Sequence, residues 1–324
     1  MNKVYNILSN KPFKIFYNVF IPKNVRKHWS YIYSNRPKQQ EVTDYWQDIL
    51  KNYFNNEIKK YDMEPVKPNL VGKKIIWQYW GQGLDELPEI VDLCFKSIDK
   101  FKNDYKVIRI TDETLKDYIS LPSFIIDKLE SGELRAVFFS DLLRVSLLSV
   151  YGGVWLDASI FLTQALPEEY RYYDFFMYSR DPNSAYKSWG KNDIHFYFNW
   201  RQDFKVNHLS SVMFSKPNSQ ISKVLTDLLL YFWETEVDVP HYFFFQILIN
   251  ELKESDYLEF KFPIVDDALP HLLQGCMKQV FIESDFIEIQ KKIGVHKLTI
   301  HENFKDKIFG KQTYYGYLKN HFLK

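Results

Sequence analysis

A chain of 324 residues that is 46% hydrophobic and 18% aromatic has the material for one large core and an appendage. Its net charge of +1 excludes a general affinity for nucleic acid, and two cysteines, Cys94 and Cys276, exclude a disulfide framework or thiolate cluster, so a reducing compartment is expected. No signal peptide is evident and charge interrupts every apolar run before about 18 residues, so a cytoplasmic protein is expected.

Charge is distributed unevenly. Residues 1–40 hold Lys3, Lys11, Lys14, Lys23, Arg26, Lys27, Arg36 and Lys38 with no acid, a segment of +8; the other 34 basic and 41 acidic residues leave −7 elsewhere. Phe13, Ile15, Phe16, Tyr17, Val19, Phe20, Trp29 and Tyr31 lie among those cations. The mixture suits peripheral contact with an anionic membrane, on the inner face of the plasma membrane, and it equally suits a helix pair packed on the main domain with its cations solvated. Pro12 and Pro22 cut the arm into short pieces. Thr43-Asp44 is a cap candidate for a helix from about Thr43 to Tyr61, and Pro65, Pro68 and Asn69 read as a linker. Residues 1–70 are thus expected as a basic, aromatic helical extension and 71–324 as the main domain.

From Lys74 the pattern becomes strand, helix, strand: IIWQYW, a helix opened by Pro88 that runs through Phe101, and a strand from Tyr105 to Ile110. Such alternation predicts parallel strands of a nucleotide-binding sheet. Gly81 and Gly83 follow the first strand, where backbone approaches a ligand closely; Trp77 reads as core. Thr111-Asp112 begins another helix.

The stretch Arg135 to Thr163 reads as helix, hinge and strand. Apolar residues recur at helical spacing, while Asp141 and Arg144 sit three apart on one side. Gly152 and Gly153 end the helix, and Val154 to Leu162 reads as a buried strand with Trp155, Asp157 and Ser159 on one face. Taken singly, Asp141 and Arg144 fit an intrahelical ion pair and Asp157 a turn cap. Together they make a polar cluster at the carboxyl end of a strand, where α/β proteins gather ligands.

Strands are expected at Asp174 to Tyr178 and Ser210 to Phe214. The long polar, aromatic stretch between them, Asp181 to Asn207, suits an acceptor site or a surface insertion. Helices Asn218 to Trp233 and His241 to Lys253 supply core. IGVHKLTIH then places His296, Lys297 and His301 in a short strand-like segment.

SDLLRVSLLSVYGGVWLDAS resembles the S-D-x-x-R, G-G-x-x-x-D core of glycosyltransferases with the GT-A fold, in particular bacterial capsular polysaccharide synthesis transferases. These are related to glycosyltransferase family 32 and, remotely, to the clostridial glucosylating toxins. KIIWQYWGQG, Lys74 to Gly83, is similar to the family's first strand, and the likeness continues weakly to HKLT, covering roughly residues 71 to 300. It implies an α/β GT-A domain, a Rossmann-like sheet flanked by helices, carrying an N-terminal helical extension. It also implies a retaining hexosyltransferase that moves glucose or galactose from a UDP-sugar to a lipid-linked surface polysaccharide intermediate.

By the same resemblance Trp80 and Gly81 touch the nucleotide base, Asp141 binds sugar hydroxyls and Arg144 the sugar or diphosphate, while Trp155 lines the donor site. Asp157 binds Mn²⁺ or Mg²⁺, which offsets charge on the departing diphosphate. The family's usual D-x-D is broken, because its second position is Ser159. A hydroxyl is a weaker ligand, so His296 is expected to complete the metal site and Lys297 to reach the diphosphate. The missing acid leaves open a non-catalytic sugar-binding assembly protein of the same ancestry, or a nucleotide-sugar hydrolase.

Overall fold

The computed structural model describes residue 7, residues 9–191 and residues 197–323. In chain order, α1 (Lys14–Phe20), α2 (Lys23–Ser30) and α3 (Arg36–Phe54) precede β1 (Ile75–Tyr79), α4 (Glu89–Phe101) and β2 (Lys106–Ile110). Then come α5 (Ser123–Glu130), α6 (Ala136–Tyr151), β3 (Gly153–Leu156), β4 (Ile160–Leu162), β5 (Phe175–Ser179) and β6 (His208–Ser215). The chain continues with α7 (Gln220–Thr235), α8 (Phe244–Glu254), α9 (Leu272–Cys276), α10 (Glu283–Lys292) and β7 (Val295–Lys297). The short β8 (Lys307–Ile308) and β9 (Lys311–Gln312) pair before α11 (Tyr314–Phe322).

These elements divide into two compact units. One holds the chain up to Ile58 with Arg180–His208 and Asp238–Leu258; the other holds Lys59–Ser179, Leu209–Val237 and Glu259–Lys324.

The larger unit is built on a five-stranded sheet of order β2-β1-β3-β6-β5. β1 runs parallel to β2 and to β3, as the strand–helix–strand pattern predicts, and β6 is antiparallel to β3. Residues 75–77 of β1 and 154–156 of β3 are buried, the apolar runs expected of strands covered on both faces. α6 packs on α7, with Phe139, Leu142, Leu147 and Leu148 fully buried. The α/β class and the helix-flanked sheet are therefore those anticipated from the sequence.

One expected strand, Val154 to Leu162, is two. β3 belongs to the main sheet, whereas β4 pairs antiparallel with β7 in a separate ladder. Between them Asp157, Ala158 and Ser159 form a turn closed by the Ile160 amide donating to the Asp157 carbonyl at 2.9 Å. β4 and β7 lie over a second core of Leu93, Cys94, Phe161, Leu273, Met277 and Tyr315.

In the smaller unit α3 packs on α8, where the buried Trp46 indole donates to the Phe244 carbonyl at 3.1 Å. The helix expected to start at Thr43 instead starts at Arg36. It follows directly on a π-helical turn, Tyr31–Asn35, and Thr43 is a buried interior residue. The Arg180 amide donates to the Asn207 carbonyl at 2.8 Å, joining the ends of the long segment, and its side chain donates to the carbonyls of Asn199 at 2.6 Å and Tyr197 at 2.9 Å within it. Residues 192–196 of the stretch expected to form an acceptor site lie outside the described residues. Among the described residues no helix is long and apolar enough to cross a membrane.

Candidate functional site

The α6–β3 connection sets the site's geometry. α6 ends at Gly152, whose amide donates to the Leu148 carbonyl at 2.9 Å and whose φ is +70°; Gly153 follows at φ +100°. Both need glycine on conformation and on space. A Cβ on Gly152 would lie 2.6 Å from the Pro217 nitrogen, and one on Gly153 would lie 2.7 Å from the Ile75 carbonyl oxygen.

Eight residues back along the helix from Gly152 to Arg144 span about 12 Å, and four along the strand from Gly153 to Asp157 about 13 Å. The hinge therefore brings Arg144 level with Asp157. Arg144 Nη1 lies 3.1 Å from Asp141 Oδ1, and Arg144 Nη2 lies 3.4 Å from Asp157 Oδ1.

The rest of the guanidinium is committed to protein as well. Arg144 Nε donates to the Ser140 carbonyl at 3.1 Å, Nη2 to the Ser140 hydroxyl at 3.1 Å and Nη1 to the Ser210 carbonyl at 3.0 Å. The sequence-based role of Arg144 is a fork for sugar or phosphate. Here all three nitrogens are engaged on a side chain only 5% exposed, so Arg144 holds the two aspartates in place.

Asp157 continues the β3–β6 ladder, its amide donating to the Ser211 carbonyl at 2.9 Å. Its Oδ1 accepts from the Trp155 indole at 2.8 Å, and its Oδ2 accepts from Lys297 Nζ at 3.0 Å. Lys297 also donates to Ser159 Oγ at 2.6 Å. The lysine is set by β7, where Lys297 pairs with Ile160 and the next amide, Leu298, donates to the Ser159 carbonyl at 2.9 Å. Asp141, Arg144, Trp155, Asp157, Ser159 and Lys297 thus form one cluster.

The two acids differ electrostatically. Burial pushes the Asp141 carboxyl up to about 7, against the opposing pull of Arg144 and with repulsion from Asp157 adding to the rise. Burial acts on Asp157 too, but the Lys297 ammonium, the Arg144 guanidinium and the bonds from Trp155 and Lys297 hold it well below the usual carboxylate range. Asp157 is the firm anion. Asp141, facing Arg144 through Oδ1, is the acid that burial brings toward neutrality.

A family model described as capsular polysaccharide synthesis protein matches residues 26–318. The chain belongs to the capsular polysaccharide synthesis protein family. No curated protein matches it. Among solved structures, it is similar to one titled PaToxG Glycosyltransferase at 14% identity and a TM-score of 0.32, covering 66% of this chain and 80% of that one.

In this capsular synthesis protein the remaining anticipated residues fall in two places. Trp80 and Gly81 follow β1, at the same sheet edge as Asp157, since β1, β2 and β3 are parallel. The half-buried Trp80 packs with Val91, Phe95 and Ala158, the residue between Asp157 and Ser159, and its indole N–H has no partner among the described residues. Gly81 makes room for a neighbouring pair. A Cβ there would meet the Tyr79 hydroxyl at 2.6 Å and Asp112 Oδ1 at 2.7 Å, and Tyr79 donates to that carboxylate.

Tyr79 and Asp112 are site candidates that the sequence reading passed over. They stand at the ends of β1 and β2, and an acid directly after the strand Lys106–Ile110 and its Thr111 was the available signal. Asp112 is exposed, while burial and this acid push the Tyr79 hydroxyl well above its ordinary value.

His296 is elsewhere. Alternation along β7 turns it away from Lys297, into full burial, where its Nε2 lies 3.0 Å from Thr163 Oγ1. Burial lowers its imidazole to about 3, and its Nδ1 has no partner among the described residues.

The donor set at Asp157 does not fit a divalent cation. Asp157 Oδ2 and Ser159 Oγ, the two oxygens that converge, converge on an ammonium. The third expected ligand, His296, points the other way, toward Thr163.

Proposed function

We propose that this capsular synthesis protein is a glycosyltransferase that moves a hexose, glucose or galactose, from a UDP donor to a lipid-linked intermediate of surface polysaccharide, with retention at the anomeric carbon. The supporting observation is the charged cluster of Asp141, Arg144, Asp157 and Lys297 at the carboxyl ends of parallel strands. A buried network of this kind costs desolvation free energy and is weak evidence for stability alone.

Each part has a use in that reaction. As the bond between the anomeric carbon and the β-phosphate oxygen breaks, negative charge grows on the diphosphate, and fixed cations stabilise it. Asp141, oriented through Oδ1 by Arg144, is suited to accept a hydrogen bond from a sugar hydroxyl. Its orientation is fixed by a guanidinium that is itself saturated. The Trp80 ring offers a stacking surface for a uracil. No side chain is required as nucleophile when the acceptor attacks from the face the diphosphate leaves.

The reading is tested by incubating the protein with UDP-glucose, UDP-galactose and their N-acetyl forms, with and without acceptor lipid, and measuring UDP. Release from at least one donor, accelerated by acceptor, is expected; none from any donor would sink it.

Contact with an anionic membrane belongs to the same proposal, because the acceptor is lipid-linked. Supporting it, Ile15, Val19 and Phe20 on α1 are 77%, 71% and 65% exposed, beside Lys14 and Lys23.

A further inference from the structure

Resting on that donor-binding reading, we propose that Lys297 stands in for a divalent cation: its ammonium neutralises the donor's diphosphate, and transfer proceeds without a bound metal.

The convergence of Asp157 Oδ2 and Ser159 Oγ creates a cation site, and the cation is covalently part of the chain. Lys297 Nζ lies 3.0 Å from the first oxygen and 2.6 Å from the second. The residue at the second position makes chemical sense on this view. A second carboxylate would draw in a doubly charged ion, whereas a hydroxyl accepts from an ammonium and leaves the local charge unchanged. A metal at the same point would have to displace Lys297 and sit beside both its charge and that of Arg144.

The ammonium also has capacity to spare. It has three N–H donors, of which Asp157 and Ser159 take two, and a quarter of its side chain remains exposed. The third is available to a phosphate oxygen. Arg144, fully engaged by Ser140, Ser210 and the two aspartates, does not compete for that task. Lys297 is held rigidly as well, because its strand is bonded to the turn that carries Asp157 and Ser159.

In the step itself the anomeric C–O bond breaks and its electron pair leaves on the β-phosphate oxygen, against the Lys297 ammonium. The acceptor hydroxyl oxygen forms the new C–O bond, and its proton passes to that departing oxygen. Lys297 keeps its own proton throughout.

The experiment compares wild-type protein and Lys297→Met, both stripped with EDTA, for UDP release and for binding of UDP and of uridine. Wild-type turnover should be the same in EDTA and in added Mn²⁺ or Mg²⁺. Lys297→Met should bind UDP about tenfold or more weakly, the loss of one charge-assisted hydrogen bond, while its uridine affinity stays at the wild-type value. Lys297→Arg, which keeps the charge, should recover part of the UDP affinity. Turnover that disappears in EDTA and returns with Mn²⁺ would overturn the metal-free step while leaving the donor reading intact, as would Lys297→Met binding UDP normally. A wild type that neither binds UDP nor releases it under any condition would overturn both.

Discussion

Two segments of this chain invert the usual distribution of polarity, and they do so in opposite senses. α6 carries Asp141 and Arg144 inside, at 8% and 4% exposure, where charge is costly. α1 carries Ile15, Val19 and Phe20 outside, where apolar surface is costly. The difference is in what completes them. The charges of α6 find partners within the larger unit, from Ser140 and Ser210 to Asp157, so the cost of burial is offset inside the fold. On the membrane proposal, Ile15 and Val19 of α1 are the side chains that lipid would cover.

The sharpest way to break the buried half is Asp157→Asn. It leaves Lys297 and Arg144 facing a neutral amide, and a broken buried pair costs about 3 kcal/mol. Turnover should fall by about a thousandfold, since the Lys297 ammonium loses the carboxylate that positions it. UDP release and a urea melt measure the two effects together; an active Asn variant would remove Asp157 from the reaction.

Asp141→Asn should be felt through pH. The Asp141 carboxyl, raised by burial to about 7, binds its proton more tightly folded than unfolded. Its contribution is complete below the ordinary carboxylate value of about 4 and is lost as pH rises to about 7, at up to about 1.4 kcal/mol per pH unit. Asp157, held low, contributes in the opposite sense, and its part is lost only in acid, below about 4. Urea midpoints at pH 5 and pH 7.5 should therefore differ less in Asp141→Asn than in wild type. An equal difference in both would mean that Asp141 does not titrate in that window.

Arg144→Lys separates holding from binding. A lysine keeps the charge but cannot reproduce a planar fork bonded to Ser140, Ser210, Asp141 and Asp157. Melting should drop by about 2 kcal/mol, with UDP affinity in a folded fraction changed less than threefold. A large loss of UDP affinity with no loss of stability would return Arg144 to the diphosphate.

Much of this arrangement was legible in the sequence, for identifiable reasons. The helical spacing of 136–151, the glycine pair and the single acid after an apolar strand are local signals, and each survives folding at nearly its expected place. The break at Asp157–Ser159 was hidden because apolar residues continue on both sides, so β3 and β4 read as one strand although they pair with different partners. Arg144's saturation was hidden because its partners include backbone carbonyls, which no side-chain pattern announces. Lys297 meets Asp157 across 140 positions, and only β4–β7 pairing decides that it, rather than His296, faces the acid. At the amino-terminal end, Thr43-Asp44 resembles a cap, but the helix is already under way at Arg36 and the polar pair falls within it.

The smallest effect on the protein itself is expected at α1, and its smallness is informative. Ile15→Glu replaces a side chain that is 77% exposed, so the urea midpoint should move by no more than about 0.5 kcal/mol. If the apolar face of α1 meets lipid, the same change puts a carboxylate at the headgroup boundary and removes apolar burial there. Co-sedimentation with vesicles containing phosphatidylserine should then fall about tenfold, and neutral vesicles should bind both forms poorly. Equal binding of Ile15→Glu and wild type to the anionic vesicles would leave the cations alone as the attraction, and added salt would then release both alike. Loss of stability without loss of vesicle binding would mean that α1 is completed by protein after all, and the contrast with α6 would vanish.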